Sequence, residues 1–311
     1  MKKVFIGLAS VVALLLLAAV VLFYVATRHE VPLTDLQRKS LPGKYVATPA
    51  GTLRYDWHGT ADGPVVVMVH GFSTPSFVFN KNVPALVNAG FRVLTYDHFG
   101  RGYSDRPAAR YDADFFDAEL SGLLQALQVK GPVRLLGYSL GGGIAAVFAG
   151  RHPEMVSRLT LIAPVGYMAP PAGTEALLHY PLLGDWLFAM VGQSTLVGQF
   201  DAEAKLGDYT PDMPPLFAEQ WNYVGTRTAL LSSARNFPYG GLSPEYQKIG
   251  KAHTPTLVIW GTADRSVPFE GSASMKADVP QLQLVTLPDG THNALLNRAE
   301  IVNKAMVDFF R

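Results

Sequence analysis

"VRLLGYSLGGGIAAVFAG", residues 133–150, decides how this chain folds. It opens on a short apolar run that reads as a buried strand and closes on an apolar run that reads as a helix. Between them Gly137, Tyr138, Ser139, Leu140 and Gly141 spell G-x-S-x-G. A strand, a very tight turn and a helix are the setting in which a serine is held out as a nucleophile. The glycines fit that setting, because side chains two residues before and after the serine would collide. The helix that begins at Leu140 also aims its amides toward any anion formed beside Ser139. The alternative is a glycine-rich turn with a structural serine, and the partners of Ser139 decide between the two.

Working outward, the same strand-like form recurs. "PVVVMVHG" (64–71), "FRVLTYD" (91–97), "LTLIAP" (159–164), "TLVIWG" (256–261) and "LQLVTLP" (282–288) are short apolar runs, as expected of strands buried on both faces. "KYVATPAGTLRYDWHG" predicts a hairpin turning near Pro49-Ala50-Gly51. Helix-like stretches at 81–89, 114–129, 141–151 and 293–310 alternate with the runs. Strands alternating with helices mean a mostly parallel sheet covered on both faces. One interval breaks the rhythm. About 90 residues separate the strands at 159–164 and 256–261, far more than a connection needs. Residues 166–250 are therefore read as an inserted helical cap, between core segments 44–165 and 251–311. Its "ALLHYPLLGDWLFAMVG" and "AEQWNYVGTRTALLSSARNF" are apolar and helix-like, suited to lining a pocket or to packing on each other.

Composition removes several chemistries. The 311 residues carry a net charge of +1 and no basic stripe, which gives no footprint for nucleic acid. There is no cysteine, hence no disulfide, thiolate nucleophile or thiolate metal site. Val4 to Ala26, in contrast, is a run of 23 residues without a charge, long enough to cross a bilayer as a helix. A cleavable signal has a shorter apolar region and a small-residue cleavage site, which "FYVATRHE" lacks. The expectation is an uncleaved anchor over residues 1–27 followed by a polar tether over 28–43; secretion after cleavage is the alternative. Lys2 and Lys3 precede the span, so the following domain is expected outside the cytoplasm, although Arg28, Arg38 and Lys39 weaken the asymmetry.

A serine hydroxyl needs a base. Of eight histidines, His292 lies in "LPDGTHNALL", after the last strand and at the same sheet edge as Ser139. His70 and His98 also follow strands; His70 is expected to be a structural hydrogen-bonding residue. The imidazole needs a carboxylate to orient it. Asp264, after the penultimate strand, fills that place, with a turn cap as its alternative; Asp289 is read as forming a turn with Gly290. An oxyanion formed at Ser139 needs two donors. The backbone N–H groups of Leu140 and of Phe72, in "HGFSTPS", are the candidates. No metal or organic cofactor is required.

These residues resemble the α/β-hydrolase superfamily over nearly everything after about residue 44. "HGF" (70–72), "DHFGRGYSDRP" (97–107), "GYSLGG" (137–142), "GTADRSVP" (261–268) and "GTHN" (290–293) fall in that family's order. The resemblance implies an α/β-hydrolase fold, here a mostly parallel eight-stranded sheet with helices on both faces, to which the spacing adds an inserted helical cap and the apolar run an N-terminal transmembrane helix. It implies a Ser139–Asp264–His292 triad, and structural roles for the Asp and Arg of the 97–107 loop. Two branches fit. Membrane-anchored monoacylglycerol-lipase-like esterases share the span and cap. The meta-cleavage-product C–C hydrolases share the triad, and in them a cap arginine can bind a substrate carboxylate; Arg235 is the candidate for that place here, with a surface position as its alternative. A span is of use for an ester of limited solubility and of none for a soluble dienoate, which favours a small-molecule or lipid-like ester as substrate. Tyr138, Trp221 and Arg235 are the candidate substrate-binding residues. A third reading, a non-catalytic ligand-binding member of the fold, has no need of all three triad groups. Oligomeric state is left open.

Overall fold

The computed structural model describes residues 2–205, 207 and 209–311; Met1, Leu206 and Asp208 lie outside the described residues, as do the side chains of residues 2–4. Among the described residues, eight strands form one sheet in the order β1-β2-β4-β3-β5-β6-β7-β8. They are β1 (Lys44–Thr48), β2 (Gly51–His58), β3 (Val65–Val69), β4 (Arg92–Tyr96), β5 (Val133–Tyr138), β6 (Val156–Ile162), β7 (Thr256–Gly261) and β8 (Gln283–Leu287). β1 and β2 pair antiparallel through the expected hairpin, and β2 pairs antiparallel with β4. From β4 to β8 every pairing is parallel. Val66 to Val69 and Leu135–Leu136 are fully buried, as continuous apolar runs in a covered parallel sheet should be. β8 departs from that expectation. It is an edge strand with Gln283, Leu284 and Thr286 exposed, because it has a neighbour on one side only.

The helices are α1 (Lys2–Thr27), α2 (Asp35–Arg38), α3 (Val83–Asn88), α4 (Ala113–Ala126), α5 (Leu140–Arg151), α6 (Leu183–Leu187), α7 (Gln193–Lys205), α8 (Met213–Glu219), α9 (Thr226–Asn236), α10 (Ser243–Lys251), α11 (Gly271–Asp278), α12 (Ala294–Asn297) and α13 (Ala299–Phe310). α5 is buried over nearly its whole length, from Leu140 to Ala149. Gly141 lets the start of the helix lie close on the end of β3, against the Val69 and His70 carbonyls. The stretch 293–310, read as one helix, is two, because the backbone at Arg298 (φ −120°) is not helical.

Among the described residues the elements between β6 and β7 are all helices or helical turns, joined by irregular stretches such as 163–174 and 237–242. α10 packs on α5 and α11, and Tyr246 on it is buried with its hydroxyl on the Val165 carbonyl (2.9 Å). α10, within the stretch 166–250 read as a cap, thus packs with α5 and α11 in the layer covering the sheet.

α1 is the one helix among the described residues long and apolar enough to cross a membrane, over Phe5–Thr27. The stretch 28–43, read as a polar tether, makes hydrogen bonds to the rest of the chain. The Val31 amide donates to the Asn222 carbonyl (2.8 Å) and the Val224 amide to Val31 (2.9 Å). Glu30 accepts from Arg227 Nε (2.6 Å), and Arg38 on α2 is buried against Asp105. These charges find their partners in the cap and core.

Candidate active site

The strand order reverses at β3. β4 lies on one side of it and β5 on the other, which opens a crevice at the carboxyl ends of β3 and β5. The two loops that leave those ends carry Phe72 and Ser139. Their backbones nearly touch: a Cβ built on Gly71 would stand 3.3 Å from the Ser139 Cβ, and one on Gly141 would stand 2.1 Å from the Val69 carbonyl oxygen. A Cβ on Gly137 would meet the Gly141 carbonyl at 2.2 Å. The glycines around Ser139 are therefore required by backbone approach, both across the turn and to the neighbouring strand.

Ser139 itself has φ 56° and ψ −121°, a conformation that costs a non-glycine residue about 1–3 kcal/mol. Four backbone bonds hold it there. Its amide donates to Ile162 (2.9 Å), and its carbonyl accepts from Gly142 (2.9 Å), Gly143 (3.3 Å) and Val165 (3.2 Å). The strain points Oγ out of the turn. His292 Nε2 lies 3.0 Å from Ser139 Oγ, and His292 Nδ1 lies 2.8 Å from Asp264 Oδ2. Asp264 is buried, and its other oxygen accepts from the Ser266 and Val267 amides (both 2.9 Å). With both oxygens occupied, the carboxylate is fixed as an acceptor for the imidazole N–H. That assigns the proton of neutral His292 to Nδ1 and leaves Nε2 to take one from the hydroxyl. The arrangement suits nucleophilic attack by Ser139 with His292 as base. The Leu140 amide is the first of α5 and has no carbonyl one turn back to satisfy it.

The Phe72 loop is braced by buried polar groups, among them Arg101 and His70, for which structural roles were expected, and Glu119, which the sequence reading did not single out. Fully buried Arg101 donates through Nε to the Phe72 carbonyl (2.9 Å), through one terminal nitrogen to Phe99 (3.2 Å) and through the other to Ser233 Oγ in the cap (2.8 Å). His70 Nε2 accepts from the His98 amide (2.9 Å), so its proton sits on Nδ1 and goes to the Gly71 carbonyl (3.0 Å). His70 is thus a structural residue, and burial holds it neutral. His98 in turn bridges the His70 carbonyl (3.1 Å) and Glu119 Oε1. Both members of that pair are fully buried, and desolvation drives both toward neutrality: His98 down to about 3, Glu119 up to about 8. A protonated Glu119 donates to His98 Nδ1 while its other oxygen accepts from the Phe99 amide (2.6 Å). The signal for Glu119 was present in the sequence as an acid on the apolar face of α4, beside Phe116, Leu120 and Leu123.

This pair gives a pH dependence whose sign can be worked out. Glu119 binds its proton more tightly when folded, so stability is lost as pH rises from its ordinary 4.5 toward about 8. His98 does the reverse between about 3 and its ordinary 6.5, so the two slopes oppose each other there. Above pH 6.5 only the Glu119 slope remains. Raising pH from 6.5 to 8 is expected to lower unfolding stability by about 1–2 kcal/mol more in the wild type than in Glu119→Gln. The amide of the variant keeps both hydrogen bonds without titrating. Parallel slopes in denaturant titrations at the two pH values would contradict the protonation assigned to this pair.

Of the candidate substrate residues, Tyr138 lies against the His292 loop: its ring is 5.1 Å from that of His292, and its hydroxyl reaches the His292 carbonyl (3.3 Å) and Asn293 Oδ1 (3.2 Å). The Tyr209 hydroxyl, from the cap, meets the same Asn293 oxygen (3.3 Å). Trp221 is fully buried in a cluster with Phe188, Leu230 and Leu231, against which Phe72 and Leu178 also pack. Arg235 is not brought to Ser139. It binds Asp185 (3.1 and 3.2 Å) and the carbonyls of Leu178 (2.6 Å) and Tyr180 (3.3 Å) within the cap. Asp97 accepts from Ser76 and Tyr103, in the loop-holding role expected of it. A separate cavity of about 330 Å³, lined in part by Arg54, His58, Asp97 and Tyr103, includes none of Ser139, Asp264 or His292 in its walls. Among the described residues no group of three or more His, Asp or Glu is placed to hold a metal.

Residues 64–190 match the family described as alpha/beta hydrolase fold, and residues 226–311 match one described as TAP-like protein. A 2-hydroxy-6-oxononadienedioate/2-hydroxy-6-oxononatrienedioate hydrolase of Cupriavidus pinatubonensis is 30% identical over 80% of this chain and 87% of its own. The chain belongs to the α/β-hydrolase superfamily. Like other members, this α/β-hydrolase has relatives of more than one chemistry. A bifunctional esterase/perhydrolase of Acinetobacter calcoaceticus is 26% identical over 86% of this chain and 99% of its own. Among solved structures, a membrane phospholipase A described as a bacterial virulence factor is 25% identical with a TM-score of 0.68. That likeness covers 100% of this chain, α1 included, and 98% of the phospholipase.

Proposed function

We propose that this α/β-hydrolase is a membrane-anchored serine hydrolase of carboxylic esters with lipid-like or medium-chain acyl groups. The observation that carries the reading is the position of His292, 3.0 Å from Ser139 Oγ and 2.8 Å from Asp264 Oδ2. In the proposed cycle His292 Nε2 takes the Ser139 proton as Oγ attacks the acyl carbon. The Phe72 and Leu140 amides stabilise the oxyanion. The intermediate collapses, the leaving alcohol takes the proton from His292, and an acyl-enzyme remains on Ser139. Water, deprotonated by His292, attacks the acyl carbon; the acid leaves and the serine recovers its proton.

Two observations favour a poorly soluble ester. α1 gives the protein a reason to sit at a membrane, and the likeness to the membrane phospholipase A runs through that helix. The cap cluster of Phe188, Trp221, Leu230 and Leu231 meets Phe72, so an acyl chain leaving the oxyanion site has apolar side chains beside it. The catalytic domain is taken to lie outside the cytoplasm, on the strength of Lys2 and Lys3 before the span. The C–C hydrolase reading has the Cupriavidus relative in its favour. Against it, Arg235, which was to bind a substrate carboxylate, is already neutralised by Asp185. A panel of p-nitrophenyl esters of increasing acyl length, run beside a chromogenic ring-fission product on the full-length protein, separates the two. Faster turnover of the medium and long esters is expected. Faster cleavage of the ring-fission product would overturn the ester assignment.

A further inference from the structure

The indole of Trp186, on α6 in the cap, donates to the Ala19 carbonyl of α1 at 3.0 Å. Ala19 stands eight residues before the end of the span at Thr27, about 12 Å of helix. A cap residue that binds there cannot stand clear of a bilayer that α1 crosses. The π-type turn at Phe188–Gly192 packs on α1 as well. Around these contacts the cap leaves apolar side chains uncovered: Leu182 is 85% exposed, Tyr180 61%, Val191 53% and Leu183 47%. Isolated apolar residues on a surface need no explanation, but a contiguous set beside a membrane span does.

Within the same segment the Leu182 amide and the Asp185 carboxylate are satisfied internally, as a lipid environment demands, while the His179 side chain is exposed. Between Leu177 and Val191 the one formally charged side chain is Asp185. It is paired with Arg235 and also accepts from the Leu182 amide (3.0 Å). The remaining donors of Arg235 go to the carbonyls of Leu178 and Tyr180. Arg235 thus ties Leu178 and Tyr180 to Asp185 and cancels the charge of the segment. On its inner side the segment contributes Leu178 and Phe188 to the cluster that meets Phe72.

We propose that the cap segment 177–191 is a second membrane contact, with Leu182, Leu183 and Val191 inserted at the boundary of headgroups and acyl chains and Tyr180 and Trp186 at the interface. The inference rests on α1 spanning a bilayer. It places an apolar path between the lipid surface and the oxyanion site, so that a substrate acyl chain passes from membrane to cap without crossing water.

The chain has no cysteine, so single Cys variants of the full-length protein can each carry one environment-sensitive fluorophore. Leu15→Cys reports the middle of the span. Asp62→Cys reports water, in the exposed loop before β3 at the sheet edge opposite the cap. Leu182→Cys is the test. In phosphatidylcholine vesicles with nitroxides placed high or low on the acyl chain, the Leu182 label is expected to lose emission most to the high nitroxide. The Leu15 label should lose it most to the low one, and the Asp62 label to neither. A Leu182 label that behaves like Asp62 while Leu15 is quenched overturns the cap contact and leaves the span intact. Loss of quenching at Leu15 as well overturns the span and the inference with it. Oxidative cross-linking of Leu182→Cys into a dimer that shields it from both quenchers would assign the patch to a second copy and contradict the lipid assignment.

Discussion

Ser139→Ala is expected to lower kcat for ester hydrolysis by about 10⁴- to 10⁶-fold while leaving the fold intact. The reason is geometric. Oγ is the only atom of the residue within reach of His292 Nε2, and the strained backbone that presents it does not depend on the hydroxyl. Alanine keeps the amide bond to Ile162 and the carbonyl bonds from Gly142 and Val165. Melting temperature should therefore move little while turnover collapses. His292→Ala should fall nearly as far, and the double variant no further, because the two groups act on one proton. A Ser139→Ala protein that retained a tenth of its activity would remove the residue from the mechanism. Additive losses would show that serine and histidine act separately.

Gly141→Ala is expected to destabilise the protein by about 3 kcal/mol or more and to abolish activity with it. The added Cβ would stand 2.1 Å from the Val69 oxygen and 2.3 Å from the His70 oxygen, both backbone atoms of the neighbouring strand end. Neither can yield without moving the Phe72 loop or the start of α5, and those two elements frame the crevice. The contrast is Gly122→Ala in the middle of α4, where the nearest atom to the new Cβ is the Thr48 Cβ at an ordinary 3.7 Å. There alanine removes backbone freedom from the unfolded chain and should stabilise by about 0.5–1 kcal/mol. One substitution with two opposite signs isolates the close approach at the elbow from any general intolerance of alanine. Denaturant midpoints of the two variants measure it; a Gly141→Ala protein as stable as the wild type would mean that the elbow and β3 are further apart than described.

The parts of this structure that sequence made legible are those fixed by short-range chemistry. The apolar runs at 64–71, 91–97, 133–139, 159–164 and 256–261 became strands because each is too short and too apolar to do anything but fill a covered sheet. Ser139, Asp264 and His292 could be picked out because each follows a strand, and every strand of a parallel sheet delivers its exit loop to the same edge. What stayed hidden depends on partners far along the chain. Arg227 and Glu30 meet across nearly two hundred residues, a pairing that the composition of 28–43 does not signal. Arg235 looks like any cap cation until Asp185 and two carbonyls are folded around it. Glu119 reads as an oddity in an apolar stripe until His98 and the Phe99 amide arrive to bind it. β8 shares its composition with the central strands, and only its place at the sheet edge exposes it.

The central claim is that three side chains, distant in sequence, make Ser139 a nucleophile. It is tested most directly by treating the full-length protein with a fluorophosphonate and mapping the adduct by peptide mass. The predicted result is one covalent adduct on the peptide that contains Ser139, absent from Ser139→Ala and formed far more slowly in His292→Ala. An adduct of unchanged yield in Ser139→Ala would contradict it.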